Sequence, residues 1–354
     1  MAYTTIDKPS DYFNTKLYTG NGTDNNSTQS INMGLQPDLC WIKNRNLSGA
    51  SAQAHHIFDN VRGGNLRLMS DFSSAESDKS DRFNGITSTG FDLVQDDAGT
   101  NESPETYVAW GWKAGTSFTN DASATGIGSI DSSGSVSTDA GFSIITYTGT
   151  GSAATVAHGL GVAPKMIINR TISAAKDWIT YHASLGATKF VELNTTDAAA
   201  TSSDKFNNTD PTSTVFSIES SSQNNTSGGT CLAYCFAPKS GFSSMGQYTG
   251  NGNNDGTFIY TGFKPAFVMN KLSSGADNWL ISDNKRLGYN EKNQQLFPNL
   301  SNAEQTNVRY DLYSNGFKVV NNNGEINTSG ATYIYMAFAE NPFVTSTGVP
   351  ATAR

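Results

Sequence analysis

The chain has 354 residues, of which 23 are Lys or Arg and 31 are Asp or Glu, so its formal net charge at pH 7 is −8. The basic residues form no cluster, which argues against nucleic acid as a partner because phosphate binding depends on grouped Lys and Arg. No apolar run approaches the length of about 18 residues that a membrane helix needs, so we expect no membrane insertion.

Residues 1–16 are polar and lack a charged stretch followed by an apolar run, so we expect no signal peptide there. We expect an N-terminal arm that docks or stays mobile. The rest of the chain is rich in Ser, Thr, Asn and Gly, with Tyr and Phe between them. This composition is typical of turn-rich β proteins.

Three landmarks recur in the same order along the chain. The landmarks are Tyr18, Pro37 and Tyr107 in the first copy, Tyr147, Pro164 and Cys231 in the second, and Tyr248, Pro265 and Tyr333 in the third. Each Tyr opens a Tyr-Thr-Gly turn, each Pro precedes a strand, and the last landmark begins an apolar closing run. The spacings are 19, 17 and 17 residues from Tyr to Pro, and then 70, 67 and 68 residues to the closing run. Such constant spacing predicts a triplicated unit.

Short apolar runs separated by Gly, Pro and Asn turns predict an all-β fold of three tandem β-sandwich (jelly-roll-like) repeats. The predicted parts are an N-terminal arm (1–16), repeat one (17–115), a linker (116–141), repeat two (142–241), repeat three (242–343) and a C-terminal tail (344–354). The linker is almost free of large apolar residues, so we expect it to let repeat one pivot or to lie across a neighbour.

The closing runs alternate large and small side chains. In the third copy Ile334, Met336 and Phe338 fall on one face, and Ala337 and Ala339 fall on the other. This period of two predicts a central strand with its large side chains in a core and its small face closely covered. The equivalent core positions are expected to be Trp110, Tyr234 and Met336.

Two further positions recur after the proline. The sixth residue after it is always basic, namely Lys43, Arg170 and Lys271. We expect these side chains at a strand end, with their aliphatic stems over the rim of the core. Trp178 and Trp279 stand 14 residues after the proline, and His56 takes that place in the first copy after an insertion.

The sequence offers little for catalysis. Its four His and three Cys stand at no metal-ligand spacing, and no Ser lies in a nucleophile elbow. We therefore expect no metal, no cofactor and no enzymatic activity. The cysteines, Cys40, Cys231 and Cys235, are expected to be buried and reduced.

The best candidates for ligand contact are Tyr18, Tyr147 and Tyr248. Each stands beside a glycine turn, where the backbone can approach a ligand such as a sugar. The alternative is structural, with each Tyr anchoring its hairpin.

Several phrases carry a resemblance to a known kind of protein. They are residues 141–151, 158–167, 181–187 and 337–343. These phrases resemble a repeat found in virion proteins of marine tailed bacteriophages, a largely uncharacterised family similar in style to laminin-G or concanavalin-A-like jelly rolls. The resemblance implies a component of the phage particle, often tail-associated, and brings no catalytic residues with it.

These observations leave three functions open. The first is a structural virion protein, a tail appendage or fibre-type component that contacts host-surface glycans or neighbouring virion proteins. The second is a capsid decoration protein, and the third is a tail-borne glycan-degrading enzyme, for which an acidic pair would be decisive. We expect other virion proteins as partners, host polysaccharide as a possible one, and a homo-oligomer whose interfaces involve the arm or the 116–141 segment.

Overall fold

The computed structural model describes residues 3–24, 27–286, 290 and 293–350. Its regular structure is almost entirely strand, which confirms the predicted all-β sandwich fold. The short helical turns are two 3-10 turns, Pro9–Asp11 and Gly49–Ser51, and three α-helical turns, Ala122–Thr125 (α1), Ser203–Phe206 (α2) and Gly324–Asn327 (α3).

The strands, in chain order, are Phe13–Thr19 (β1), Gln29–Asn32 (β2), Leu39–Asn44 (β3), His55–Asp59 (β4), Leu66–Met69 (β5), Ser77–Asp78 (β6), Phe83–Thr87 (β7), Gly90–Leu93 (β8), Thr106–Trp112 (β9), Thr116–Asn120 (β10), Ser132–Ser137 (β11), Phe142–Thr148 (β12), Ala154–Ala157 (β13), Met166–Thr171 (β14), Ile179–His182 (β15), Lys189–Glu192 (β16), Ala200–Thr201 (β17), Val215–Ile218 (β18), Thr230–Phe236 (β19), Ser243–Thr249 (β20), Phe258–Tyr260 (β21), Phe263–Leu272 (β22), Trp279–Asp283 (β23), Asn293–Leu296 (β24), Gln305–Asn307 (β25), Tyr310–Tyr313 (β26), Gly316–Val319 (β27) and Thr332–Pro342 (β28).

These strands form three sheet pairs, each with a large and a small sheet. The first sheet pair combines β1-β9-β3-β4-β5-β6 with β2-β8-β7, and the third combines β20-β28-β22-β23-β24-β25 with β21-β27-β26. The second combines β10-β11-β12-β19-β14-β15-β16-β17 with β13-β18. Counted from β1, β12 and β20, the large sheets share one strand order. The three large sheets therefore have the same strand connectivity over six strands.

The large sheets turn one face toward a core that all three sheet pairs share. Trp110, Tyr234 and Met336 all lie in this core, at most 2% exposed. Aromatic rings from different sheet pairs pack together there. The ring centroids of Phe236 and Phe338, for example, are 6.0 Å apart. The large face of each closing strand is therefore buried between sheet pairs, where removal of apolar area from water favours their association.

The small face of each closing strand lies inside its own sheet pair. In the second sheet pair Ala233 and Cys235 pack in one cluster with Ile167 and Phe216. Small side chains here let the small sheet approach the large one closely. All three cysteines are free and buried, as the sequence predicted, and burial raises the pKa of each thiol.

Residues 116–141 are not a free linker, and this prediction was wrong. β10 and β11 form a hairpin, with Phe118 opposite Gly134, and β11 continues the ladder onto β12. Ile130 also forms a bridge with Val156 of the second small sheet. Few apolar side chains are needed for this, because the backbone groups of the segment pair with the edge of β12. The segment is thus built into the second sheet pair and cannot act as a pivot.

The N-terminal arm docks on the third sheet pair. The Tyr3 hydroxyl donates to the carbonyl of Gly262 at 2.7 Å, and the backbone N–H of Ser346 donates to Asp7 at 2.6 Å. The last four residues of the predicted arm already belong to β1. Of the predicted tail, residues up to 350 are described, and the remainder lies outside the described residues.

Candidate functional surface

The three predicted ligand tyrosines anchor turns instead of presenting a binding surface. Tyr147 and Tyr248 are 4% and 6% exposed, and Tyr18 is half-buried with its ring stacked 5.0 Å from Tyr107. Each hydroxyl donates to a backbone carbonyl of its own sheet pair, at 2.7, 2.6 and 2.9 Å. Burial raises the pKa of all three phenols. The three hydroxyls and the ring faces of Tyr147 and Tyr248 are therefore used internally, whereas the Tyr18 ring stays half-exposed.

A buried Asn holds each of these turns, and the sequence analysis did not single it out. Asn101, Asn225 and Asn327 accept, through their side-chain oxygens, the N–H of the residue after the turn's first Gly, at 3.2, 2.7 and 2.8 Å. Their backbone carbonyls accept the N–H of the turn's second Gly. Each Asn stands five residues before the first residue of its closing strand and two before a Ser. That constant spacing was the available signal.

The recurring basic residues are fully buried between sheet pairs, not at the rim as predicted. Arg170 donates to the Ser73 carbonyl at 2.6 Å, and Lys271 donates to the Thr196 carbonyl at 3.2 Å. Burial lowers the pKa of Arg170 to about 10 and the pKa values of Lys43 and Lys271 to about 8. Arg170 and Lys271 therefore join neighbouring sheet pairs, whereas Lys43 donates to the carbonyl of Asn44 in its own strand at 2.6 Å.

The tryptophans that stand 14 residues after the second and third prolines, Trp178 and Trp279, also join neighbouring sheet pairs. Trp178 Nε1 donates to a backbone carbonyl of the first sheet pair at 2.8 Å, and Trp279 Nε1 donates to one of the second at 2.9 Å. In the first sheet pair the strand register places His55, not the predicted His56, at the matching position. A slip of one residue turns a side chain to the opposite face of its sheet, so the distinction matters.

Three exposed aromatic side chains share the outer face of the third small sheet. Phe258 and Tyr260 on β21 and Tyr313 on β26 are 43%, 58% and 41% exposed, and we call this set the aromatic platform. Gly316 of β27 lies between the two tyrosines in the ladder. The Phe258 ring covers Gly316, where an added Cβ would stand 3.0 Å from it and 2.1 Å from the Ile259 carbonyl. Phe258 also packs edge-on against Tyr313, with ring centroids 5.9 Å apart, so these two rings hold each other in place.

Charged and hydroxyl groups border the aromatic platform. Lys318, beside Phe258 in the ladder, pairs with Asp255 and holds the pKa of that carboxyl below its usual range. Asp311 lies opposite Lys318, and partial burial raises the pKa of its carboxyl. The Tyr3 hydroxyl of the docked arm lies 3.1 Å from the Tyr260 hydroxyl. The surface therefore combines flat apolar rings with hydrogen-bonding groups around them.

The same face of the first small sheet is different. The ladder positions that match the aromatic platform are occupied there by Ser30, Asn32 and Thr87. Asp92 stands where the third sheet has Lys318. The first and third small sheets have the same strand pairing, but the first carries short polar residues at these positions. The fold itself therefore does not require exposed aromatic rings there.

A polar pocket of about 580 Å³ lies where the first and second sheet pairs meet. At its side Gln223 Nε2 donates to Asp177 and to Glu192, each at 3.1 Å. Burial, and then the neighbouring Asp177 carboxylate, raise the pKa of Glu192. Lys205 faces the same pocket and donates to Ser221 at 2.8 Å. The sequence analysis missed this carboxylate pair because only the hairpin of β15 and β16 brings its members together.

Among the residues that the structure describes, no group of three or more His, Cys, Asp or Glu is placed to hold a metal. Within the same residues, no helix has the length and apolar character needed to cross a membrane.

One family description matches the chain, "Domain of unknown function (DUF7483)", over residues 8–342. No curated protein and no solved structure matches.

Proposed function

Since the chain belongs to the DUF7483 family of unknown function, we propose its role from its own surfaces: a non-catalytic attachment protein that contacts saccharides through the aromatic platform. In keeping with the resemblance to virion proteins of tailed phages, the proposed setting is the phage particle, as a tail appendage facing the glycans of the host surface. The observation that carries the proposal is the set of exposed rings at Phe258, Tyr260 and Tyr313.

The chemistry of a sugar ring fits this surface. A pyranose has a face made mainly of C–H groups, and packing that face on an aromatic ring removes apolar area from water at about 25 cal/mol per Å². The negative ring face also attracts the slightly positive C–H hydrogens. The hydroxyl rim of the sugar can meet Lys318, Asp311 and the Tyr260 hydroxyl. Because Tyr and Phe have few rotatable bonds, little conformational entropy is lost on contact.

The buried frame supports the same role. The large sheets share one core, and buried cations and indoles join neighbouring sheet pairs. A rigid support keeps the aromatic platform in a fixed position, so less conformational entropy is lost when a ligand binds.

A binding comparison tests the proposal. Wild-type protein, the double variant Tyr260→Ala/Tyr313→Ala and the control Asn32→Ala/Thr87→Ala are applied to immobilised bacterial envelope polysaccharides. The control changes the matching face of the first small sheet. We expect the platform variant to bind at least about tenfold more weakly, since a tenfold loss corresponds to 1.4 kcal/mol and each lost ring removes contact area. The control should bind like the wild type.

Equal binding by all three proteins, or no binding by the wild type, would contradict the saccharide contact. Labelling of intact particles with an antibody against this chain separates a tail position from the alternative, decoration of the head.

Asp177, which lines the polar pocket, and Glu192 beside it both accept from Gln223, and this pair of carboxylates favours a second candidate, cleavage of a glycan at the side of the pocket. Glu192, whose pKa is raised, would act as the acid, and Asp177 would act as nucleophile or base. Release of new reducing ends from polysaccharide by the wild type, abolished in Glu192→Gln and Asp177→Asn, would establish this activity. Binding without release, unaffected by these two substitutions, would support the attachment role instead.

A further inference from the structure

β10 is the outermost strand of the second large sheet among the described residues, so one side of its backbone has no neighbouring strand. Its five residues are uncharged, and Thr116, Ser117 and Thr119 are exposed. An edge strand without charge or proline is a template for pairing with another strand. By contrast, β1, at the same end of the first large sheet, carries the exposed Lys16, which discourages such pairing.

An uncharged pocket of about 210 Å³ adjoins this edge. Phe118 and Asn120 of β10 line it, together with Ile127 and Gly159. Ile127 and the nearby Val162 are 38% and 44% exposed. A free backbone edge beside a pocket for side chains is the arrangement by which sheets accept an added strand.

We propose that two copies of this chain pair through β10, antiparallel and centred on Phe118, so that the two second large sheets become continuous. Phe118 is the middle residue of the five-residue strand, so this register makes the contact two-fold symmetric. Ser117 of each copy then stands opposite Thr119 of the other, and the two Phe118 rings extend the apolar surface beside each pocket.

The charges flanking the strand fit a second copy in this orientation. Lys113 precedes β10 and Asp121 follows it, and neither takes part in the strand. Antiparallel pairing brings Lys113 of one copy to the same end as Asp121 of the other, whereas parallel pairing would bring like charges together. The strip between them is neutral, so it is the place where two chains of net charge −8 can approach. This inference does not depend on the saccharide contact.

The test is a measurement of mass in solution with paired charge variants. In Ser117→Lys/Thr119→Lys each lysine would face a lysine of the other copy, and we expect the dimer to weaken at least tenfold. In Ser117→Lys/Thr119→Glu each lysine would face a glutamate, and we expect the dimer to persist. Both variants change exposed side chains, and matched unfolding curves would show that the fold is kept. Mass is measured by sedimentation equilibrium from 1 to 200 µM.

A monomeric wild type over the whole range would overturn the inference. So would a dimer that resists the double lysine variant, since the contact would then lie elsewhere. As a further arm, the double lysine variant is mixed with Ser117→Glu/Thr119→Glu. Each variant alone should be monomeric and the mixture should form heterodimers, which a general loss of folding could not produce.

Discussion

Two of the contacts between sheet pairs are built from different chemistry. At the first seam, between the first and second sheet pairs, Trp178 and Arg170 donate to backbone carbonyls and are fully buried. At the closing seam, between the third and first sheet pairs, Arg45 binds Glu304 at 2.7 Å, with side chains 15% and 13% exposed. Glu304 also lies 3.7 Å from Arg286.

The difference shows that two contacts between similar sheet pairs can depend on different interactions, hydrogen bonds to carbonyls at one and an ion pair at the other. At the first seam the indole fills its site and needs only a carbonyl, which no pH or salt change removes. At the closing seam His55 takes the place of the tryptophan, and the ion pair of Arg45 with Glu304 joins the two sheet pairs. Salt screens a partly exposed ion pair, although less strongly than a fully exposed one. The first seam also holds a carboxylate, since the Tyr234 hydroxyl donates to the buried Asp59 at 2.7 Å. The Arg45–Glu304 pair is partly exposed, so the closing seam should be the more sensitive to salt.

The largest effect is expected from Trp178→Ala at the first seam. Removal of a fully buried indole leaves a cavity and an unpaired carbonyl, so the free energy of unfolding should fall by about 3–5 kcal/mol. Phe72→Ala is the matched control, because Phe72 lies near the same seam but is 47% exposed. Urea denaturation measures both. A loss below about 1 kcal/mol in Trp178→Ala would show that this seam contributes little.

A smaller effect, with a different signature, is expected from Glu304→Gln at the closing seam. The loss of charge-assisted hydrogen bonds should lower the free energy of unfolding by about 1.5–3 kcal/mol. The loss should shrink in 1 M salt, where the wild-type pair is itself screened, whereas the Trp178→Ala loss should not. Asp139→Asn, a change at an exposed carboxylate, is the control. If salt changes the loss of unfolding free energy equally in Trp178→Ala and Glu304→Gln, the two seams do not differ in the proposed way.

The contact between the second and third sheet pairs should depend on pH. His182 bonds the Tyr335 carbonyl at 3.2 Å, and burial lowers its pKa to about 4. Between about pH 6.5 and pH 4 the unfolded chain binds a proton that the folded chain excludes, so stability falls as pH falls, by up to 1.4 kcal/mol per pH unit from this group.

The variant His182→Gln should have a shallower slope of unfolding free energy against pH in this window. Other histidines also have lowered pKa values and contribute to the wild-type slope, namely His55, His56 and His158. The difference between the two proteins isolates His182. Parallel slopes would mean that its imidazole is solvated in the folded protein.

The smallest effect is expected away from all seams. Tyr260→Ala removes a ring that is 58% exposed, so the free energy of unfolding should change by less than about 0.5 kcal/mol. A larger loss would give the aromatic platform a structural role through the Tyr3 contact and weaken its assignment to binding.

The sequence predicted the buried core positions but not the exposed aromatic residues or the carboxylate pair. The expected burial of Trp110, Tyr234 and Met336 agrees with the structure, because alternation along a strand reports which side chains share a face. The same alternation in β21 gave no sign that Phe258 and Tyr260 face solvent, since it does not say which face is covered. The carboxylates of Asp177 and Glu192 were missed for a related reason, as pairing across a hairpin is not a spacing along the chain.

The sequence by itself determined the β character of this protein, because the strand period, the glycine turns and the recurring landmarks are local and need no partner. The tertiary structure alone decided which segments pair with one another and which side chains lie between sheet pairs. Residues 116–141 became strands because the edge of β12 offered their backbone hydrogen bonds, although their side chains carry almost no apolar pattern. The recurring Arg170 and Lys271 moved from an expected rim to a buried seam because carbonyls of another sheet pair satisfy them there. Such partners lie about 75 to 100 residues away in the chain, where only the packing of the sheets brings them into contact.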